Sequence, residues 1–369
     1  MSGPLLGDAG SSQQTAGSMG ALVVREFGGP HVLTLTDWPR PTPQPGEVLI
    51  RVRASFVAFG RDVEVRSGRH PFFPRLITLP HILGGEHSGT VDAVGAGVSS
   101  QLVGTRVAVS ATLTCGRCGP CLAGREWDCT NRRAIGIHQQ GSNAQFTVVP
   151  VANIEPIPDS MSFEQAAALA ANGPLAHAQL NAGHVGPGDW VAVPGASGSV
   201  GTLLVALAAR RGAQVIALTR GRRAEGALRG LGATVVLDTS DPDLGAALLD
   251  HTAGAGVNAV IDNVALVDLW ERYWPAVARG GHIVFSGYAG NDARPLPVNV
   301  VELYNRRATL TGLTTGDRRE FSAFWADMRR EPVVLGEDLL HTFPLEQAAH
   351  AHAGIEHGNK IGHFVLSVS

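Results

Sequence analysis

The chain's four cysteines stand at Cys115, Cys118, Cys121 and Cys129, in the order C-x2-C-x2-C-x7-C. Thiolates at that spacing can close a tetrahedral shell around Zn²⁺ within one loop, whereas disulfides inside so short a segment are crowded and are disfavoured in a reducing cytosol. Four protein ligands leave no open coordination position. Neither water nor substrate then reaches the ion, and the expected role is structural.

A second constellation is Gly195-Ala-Ser-Gly198-Ser-Val-Gly201, which follows the apolar run DWVAVPG and opens VGTLLVALAARRG, whose apolar residues recur at helical spacing up to Gly212. It departs from G-x-G-x-x-G by one extra residue between the first two glycines. Its place in a strand, turn, helix, strand unit gives it weight as a dinucleotide site. Gly195, Ser197, Gly198, Ser199, Val200 and Gly201 are the expected cradle, where glycines permit close backbone approach and the helix N-terminus offers free N–H groups to a pyrophosphate. At the end of the next strand an acidic residue would hold the ribose hydroxyls of NAD. The sequence instead reads Thr219-Arg220-Gly221-Arg222-Arg223. With no carboxylate there to repel a 2′-phosphate, and with Arg220, Arg222 and Arg223 able to pair with one, the expected cofactor is NADP(H). Glu225 lies too far along to replace the missing acid.

These groups need a scaffold of some size, and 369 residues favour two domains. From Ala21 to about Pro150 short Val-, Gly- and Pro-rich runs such as EVLIRVRA, SGTVDAVG and RVAVSAT read as strands and tight turns. Beyond them DWVAVPG, QVIALT, TVVLD, VNAVID, HIVFSG and ATLTGL alternate with helical segments, the pattern of a parallel sheet covered on both faces. The expected fold class is α/β, a mainly-β unit joined to a doubly wound parallel sheet. The expected division is a disordered tail over 1–19, the mainly-β unit over 20–170, the nucleotide-binding unit over 171–313 and a terminal segment over 314–369 that packs back on the first. In that segment FPLEQAAHAHAGIEHG reads as a helix and HFVLSV as a final strand.

Lys and Arg number 29 against 32 Asp and Glu, a formal charge of -3, so no basic excess exists to neutralise a phosphate backbone. A small-molecule substrate is expected and nucleic acid is not. The opening MSGPLLGDAGSSQQTAGSMG has neither the basic nor the apolar region of a signal peptide, and no apolar run is long enough to span a bilayer. The reading is a cytoplasmic protein without a membrane partner, with Met19 a possible alternative start.

Taken with GGEHSGTV and LVVREFGGPHVLTLTDWPRPTPQPGEVLIRV, these segments resemble the medium-chain dehydrogenase/reductase superfamily of the zinc alcohol dehydrogenase type, over nearly everything after residue 20. The resemblance implies a GroES-like catalytic domain, a Rossmann domain, and a homodimer formed through the edge strand around 303 to 314. It also implies that the four cysteines hold one structural zinc per chain. The family's second, catalytic zinc uses a Cys in a CGxD-like segment, the His of a GHE segment, and a Cys, Asp or Glu shortly before the Rossmann strand. Here those segments read Phe59-Gly60-Arg61-Asp62, Gly84-Gly85-Glu86 and Ala171-Asn172-Gly173. Phe59 and Gly85 offer no side-chain donor and a neutral Asn172 alone cannot hold the ion, so no catalytic zinc is expected. Asp62 and Glu86, which match the carboxylates that support the family's ligands, remain.

The family's zinc-free quinone-oxidoreductase-like and enoyl-reductase-like members resemble this chain in the GASGSVG loop. They imply NADPH-dependent reduction of an activated double bond, in which the negative charge left by hydride needs only hydrogen bonds. Reduction of a ketone or imine with a protein acid, and NADPH binding without turnover, are the alternatives. The candidate acids or anion stabilisers are Arg61, His87 and Tyr288; His138 and His177 rank as structural. By strand-end position Asn263, Gly287, Leu313 and Thr314 border the nicotinamide. Phe56, Phe59, Phe72, Phe73 and Trp274 are candidates for an apolar substrate wall.

Overall fold

The computed structural model describes residues 17–287, 294–314, 317–358 and 361–369. The apolar runs after residue 189 form a parallel six-stranded sheet in the spatial order Ala233–Asp238, Gln214–Thr219, Trp190–Pro194, Val257–Asp262, Val277–Phe285, Thr309–Gly312. Numbered along the chain that order is 3-2-1-4-5-6, the doubly wound arrangement. Its switch point lies between Trp190–Pro194 and Val257–Asp262, and a crevice opens beyond the C-terminal ends of those two strands. Val191, Val193, Val215 and Ala217 face a core shared with the helix Ser199–Arg210, and Ala192, Ile216 and Val260 face the opposite one. Trp274 belongs to that second core, stacked on Trp270 with ring centroids 4.9 Å apart. Trp274 is therefore no part of a substrate wall.

The mainly-β unit is a seven-stranded sheet built around Glu47–Phe56, which pairs with His87–Val94, Phe146–Pro150 and, near its end, His363–Ser367. Leu340–Pro344 adds a parallel edge to His363–Ser367. Of the segment FPLEQAAHAHAGIEHG, expected as one helix, Phe343 and Pro344 end the strand Leu340–Pro344, Leu345–Gln347 forms a 3-10 turn, and only Ala348–Glu356 is helix. A smaller sheet joins Ser18–Val24, Leu33–Pro39 and His81–Ile82. Ser18 and Met19 already belong to its first strand, with Met19 opposite Trp38 and 4% exposed. The tail expected over 1–19 thus gives way to structure before its end.

Two helices that the periodicity did not single out connect the units. Phe163–Ala182 starts at Ser162, whose Oγ accepts the Gln165 N–H at 3.1 Å, and runs across the expected division at residue 170. Arg318–Arg330 buries Phe321, Phe324, Trp325 and Met328, an i, i+3, i+4, i+7 stripe. The two meet where Gly173 has no side chain: a Cβ there would lie 2.2 Å from the Phe324 ring. Together they carry the wall of the crevice from one sheet to the other.

Candidate functional site

The glycine loop turns tightly at the end of Trp190–Pro194. Gly195 has φ +70°, and the Gly198 N–H returns to its carbonyl at 3.0 Å. Gly201 lies so close that a Cβ would stand 2.3 Å from the Gly195 oxygen and 2.6 Å from the Ala196 Cα. Ser199–Arg210 begins with no side-chain cap, so its first N–H groups are available to an anion. The chain's last segment braces the loop from outside. The Gly362 N–H reaches the Ser197 oxygen at 3.0 Å, and His363 Nε2 lies 3.0 Å from Thr202 Oγ1. Because a Gly201→Ala methyl would press on backbone, the turn must open; we expect a folding cost of about 1 to 3 kcal/mol, seen as a melting temperature lowered by a few degrees, together with a weaker cofactor Kd by fluorescence titration.

At the end of Gln214–Thr219, Gly221 turns the chain with φ +68° and Arg220, Arg222 and Arg223 are exposed. Arg222 is spoken for in part: its Nε and Nη2 donate to both oxygens of Glu225 at 2.7 and 2.9 Å. Arg229 donates to the same carboxylate at 3.0 Å. Hydrogen bonds from Arg222 and then Arg229 hold the Glu225 carboxyl down at about 2. Glu225 is thus no ribose acid in this arrangement; it neutralises one of the arginines expected to face a phosphate.

Two cavities, of about 460 and 530 Å³, share Glu86, Thr112, Leu175 and Thr314 and so form one cleft between the sheets. Leu313 and Thr314 line the first of them, and Phe56, Ala58, Phe73 and Asn172 line the second. Asn263 sits at the sheet edge with its amide locked to Gln179, at 3.1 and 3.2 Å, and Gly287 lies against Asn263. Tyr288 falls outside the described residues. Phe59 is 52% exposed and Phe72 68% exposed, and neither lines the cleft.

After Phe56 the chain winds into a single π-helical turn, Phe59–Glu64, a wide geometry that recurs at functional sites. Asp62, 1% exposed, accepts the Ala58 N–H at 2.7 Å on one oxygen and the Gly84 N–H at 2.9 Å on the other, and so ties the 59–62 and 84–86 segments together. Burial raises the Asp62 carboxyl, against the pull of Arg61 and the two N–H groups. Arg61 is ion-paired with Glu86 and lines the larger cavity. Burial lowers its pKa, with Asp62 opposing, but a guanidinium keeps its charge in proteins. A Cβ on Gly85 would lie 2.6 Å from Arg61 Cζ and 2.7 Å from Nε. The guanidinium therefore fills the space that a side chain at residue 85 would need. With a cation in that space, and with Phe59 turned outward, these residues do not fit a metal ion.

The structure does not bring His87 to the cleft. It is fully buried, Nδ1 lies 2.8 Å from the Gly85 oxygen, Nε2 has no partner among the described residues, and it lines neither cavity. Burial drops its pKa to about 4, so it stays a neutral core histidine. His138 lines the larger cavity, but its Nδ1 is occupied by the Ala134 N–H at 3.0 Å. His177 bridges the two connecting helices, 3.1 Å from Glu320 and 3.5 Å from Asp327. Thr112 and Trp127, which line the cleft, carried no signal in spacing or composition.

The four cysteine sulfurs all lie within 4.8 Å of one another. Cys129 Sγ is 3.6 Å from Cys115 Sγ and 3.9 Å from Cys118 Sγ. A regular tetrahedron with 2.3 Å Zn–S bonds has sulfur–sulfur edges of about 3.8 Å, so the donor set fits Zn²⁺. Backbone N–H groups of Cys121 and Thr130 hold the Cys118 thiol down at about 6. The lobe is docked onto the helix Arg318–Arg330: Arg318 donates its Nε and its backbone N–H to Glu126 at 2.8 and 2.9 Å, and the Trp127 N–H reaches Asp317 at 3.1 Å.

Residues 44–159 match the family described as alcohol dehydrogenase GroES-like domain, and residues 199–330 match the zinc-binding dehydrogenase family. An L-threonine 3-dehydrogenase of Anaeromyxobacter sp. is 35% identical over 311 residues, covering 83% of this chain and 88% of that protein. A crystal structure of an NAD-dependent alcohol dehydrogenase superposes with a TM-score of 0.86 at 33% identity, over 95% of this chain and all of the other. A mycobacterial quinone oxidoreductase superposes with a TM-score of 0.76 at 30% identity, over 95% of this chain and 100% of its own.

Proposed function

This chain belongs to the medium-chain dehydrogenase/reductase superfamily and is an oxidoreductase of that family, and from that premise we propose that it is an NADPH-dependent reductase of an activated double bond that works without a catalytic zinc. The observation that carries the proposal is the guanidinium of Arg61 in the space left by Gly85. Metal-assisted reduction of a simple carbonyl needs a Lewis acid at that place, and the residues there provide hydrogen-bond donors instead. Conjugated acceptors, an α,β-unsaturated carbonyl or a quinone, accept hydride at carbon and leave charge on an oxygen that such donors can hold. The likeness to a quinone oxidoreductase agrees with this chemistry. The names of the threonine and alcohol dehydrogenase relatives favour a second reading, a carbonyl reductase with a protein acid. Phe59, exposed and away from the cleft, gives no support to a cofactor-binding protein blocked from turnover.

Gly195, Ser197, Gly198, Ser199, Val200 and Gly201 would hold the pyrophosphate, and Leu313, Thr314, Asn263 and Gly287 would border the nicotinamide. We read the cofactor as NADPH because Thr219 is followed by Arg220, Arg222 and Arg223, although one similar structure is of an NAD-dependent enzyme. Arg222 shares its charge with Glu225, so the 2′-phosphate recognition should not rest on Arg222 alone but be spread over the exposed Arg220, Arg222 and Arg223. Each charged hydrogen bond contributes about 1.5 to 3 kcal/mol. The double substitution Arg220→Ala/Arg223→Ala should then raise KM for NADPH at least tenfold while leaving KM for NADH within about twofold; equal changes for both would refute the assignment.

Cys115, Cys118, Cys121 and Cys129 would hold one structural zinc. The edge strand Thr309–Gly312, beside a helix that exposes Val300, Val301 and Tyr304, supports a homodimer through that edge. Among the described residues no helix is long and apolar enough to cross a membrane. The direct test of the reading is a screen of enones, quinones, ketones and imines followed by NADPH absorbance, on protein whose zinc content has been measured.

A further inference from the structure

We propose that Arg61 is the fixed electrophile of this enzyme: its guanidinium, seated where the side chain of residue 85 is missing, binds the carbonyl or quinone oxygen of the substrate and holds the charge that develops on it. This deepens the reductase reading and rests on it for the reaction, though not for the probe used below.

A guanidinium has five N–H donors in a planar fork. Glu86 engages Nη2 of Arg61, and Nε has no partner among the described residues. Asn172, on the same cavity of about 530 Å³, has a buried Nδ2 that is likewise without a partner. Both of those atoms are sealed from the cavity, but the Arg61 side chain as a whole is 18% exposed and lines it, so the accessible edge of the guanidinium is what can meet an acceptor oxygen there. The groups around Arg61 fix it in place: Glu86 holds one edge, Asp62 anchors the π-helical turn through Ala58 and Gly84, and the bare Cα of Gly85 gives the guanidinium its seat. Because Glu86 offsets the formal charge, selection should rest on hydrogen bonds that strengthen as charge grows on the oxygen. That is the condition for lowering a barrier, not only for binding substrate.

NADPH, when bound, would supply the hydride for the β-carbon, the π electrons passing to the carbonyl oxygen. Arg61 would hold that oxygen while the α-carbon takes one proton from solvent, so that NADPH, the acceptor and H⁺ balance NADP⁺ and the saturated carbonyl compound. For a quinone the same hydride gives the quinol monoanion, which is protonated on oxygen.

The test separates the site from the reaction. 4-Nitrophenol serves as an enolate-like oxygen whose absorbance reports its ionisation, titrated into the zinc-loaded full-length chain with and without NADP⁺. The wild type should bind the phenolate form in the cleft. Arg61→Met should weaken that binding by about 10- to 100-fold, with Arg61→Lys in between. Where a substrate is found, Arg61→Met should lower kcat by roughly 100-fold with a smaller change in KM. Should Arg61→Met fail to fold, Gly85→Ala keeps the arginine but displaces it, and the same loss of phenolate binding is expected. Phenolate binding absent from the wild type, or unchanged within threefold in folded Arg61→Met or Gly85→Ala protein, would overturn the proposal. Arg61-dependent phenolate binding in a protein that reduces no conjugated acceptor would leave the site standing and overturn the reductase reading instead.

Discussion

Replacing Cys121 with serine is expected to release the metal from the cysteine lobe and to lower the melting temperature by roughly 6 °C, through a loss of about 5 kcal/mol. Serine offers a neutral hydroxyl in place of a thiolate, and three remaining sulfurs leave the shell open. The lobe has little else to hold it. Leu113 and Ile135 pack at its base, but Leu122 is 75% exposed and Trp127 is 51% exposed, so the segment between the cysteines has no apolar core of its own. Folding of such a loop is coupled to its metal. The loss should spread along two contacts, the Glu126 pairing with Arg318 and the placement of Trp127 on the cleft wall. Elemental analysis with a thermal melt checks this: about one zinc per wild-type chain, and almost none in the variant. A variant that keeps its zinc and its melting temperature would contradict the structural role.

Stability should also collapse in mild acid. His87, His352 and His363 are completely buried in the neutral form. Burial lowers His87 to about 4, with the Gly85 hydrogen bond opposing; it lowers His352 to about 3, helped by Arg66, and His363 to about 3, helped by His341. A histidine depressed in the folded state stabilises fully above its unfolded pKa, near 6.5, and this contribution shrinks as pH falls toward the folded value. Between those limits the unfolded chain binds the extra protons, so acid favours unfolding. At pH 5 the cost is about 2 kcal/mol for each histidine, or about 6 kcal/mol in all, against a typical total stability of 5 to 15 kcal/mol. Asp62, raised by burial, works in the opposite direction and returns part of it. Calorimetry from pH 8 to pH 4.5 should show a melting temperature that falls steeply below 6.5, with a net uptake of protons on unfolding near pH 5 to which these three histidines contribute about one each. A flat profile from pH 7 to pH 5 would contradict this assignment.

The parallel sheet was the most readable part of the chain, because strands buried on both faces appear as unbroken apolar runs such as QVIALT and VNAVID. The phosphate loop was readable for a related reason: Gly195 and Gly201 stand where backbone approaches backbone, and only glycine fits. Phe163–Ala182 escaped notice because its alanine-rich sequence is buried on several sides and has no polar face to mark a helical period. Leu340–Pro344 escaped because an edge strand of five residues with the pattern LHTFP has too little alternation.

Within the site, absence proved easier to read than replacement. That Phe59, Gly85 and Asn172 cannot hold a metal follows from residue type alone. That Arg61 folds into the gap above Gly85 depends on the π-helical turn, which no spacing announces. His87 was a candidate acid by residue type, but it opens a central strand, paired with Ser55 on one side and Val109 on the other, whose first three residues are all buried. The pairing of Arg222 with Glu225 is an i, i+3 contact into the start of the helix Glu225–Gly230, of the kind sequence can suggest. Its consequence for the cofactor phosphate needed the structure.

The most direct test of a zinc-free conjugate reductase is the fate of deuterium from NADPH labelled at the transferable C4 position, with an α,β-unsaturated ketone as acceptor and the bound zinc counted on the same sample. The account predicts deuterium on the β-carbon of a saturated ketone, from protein that carries one zinc per chain. Deuterium on the carbonyl carbon of an allylic alcohol, or two tightly bound zinc ions per chain, would contradict it.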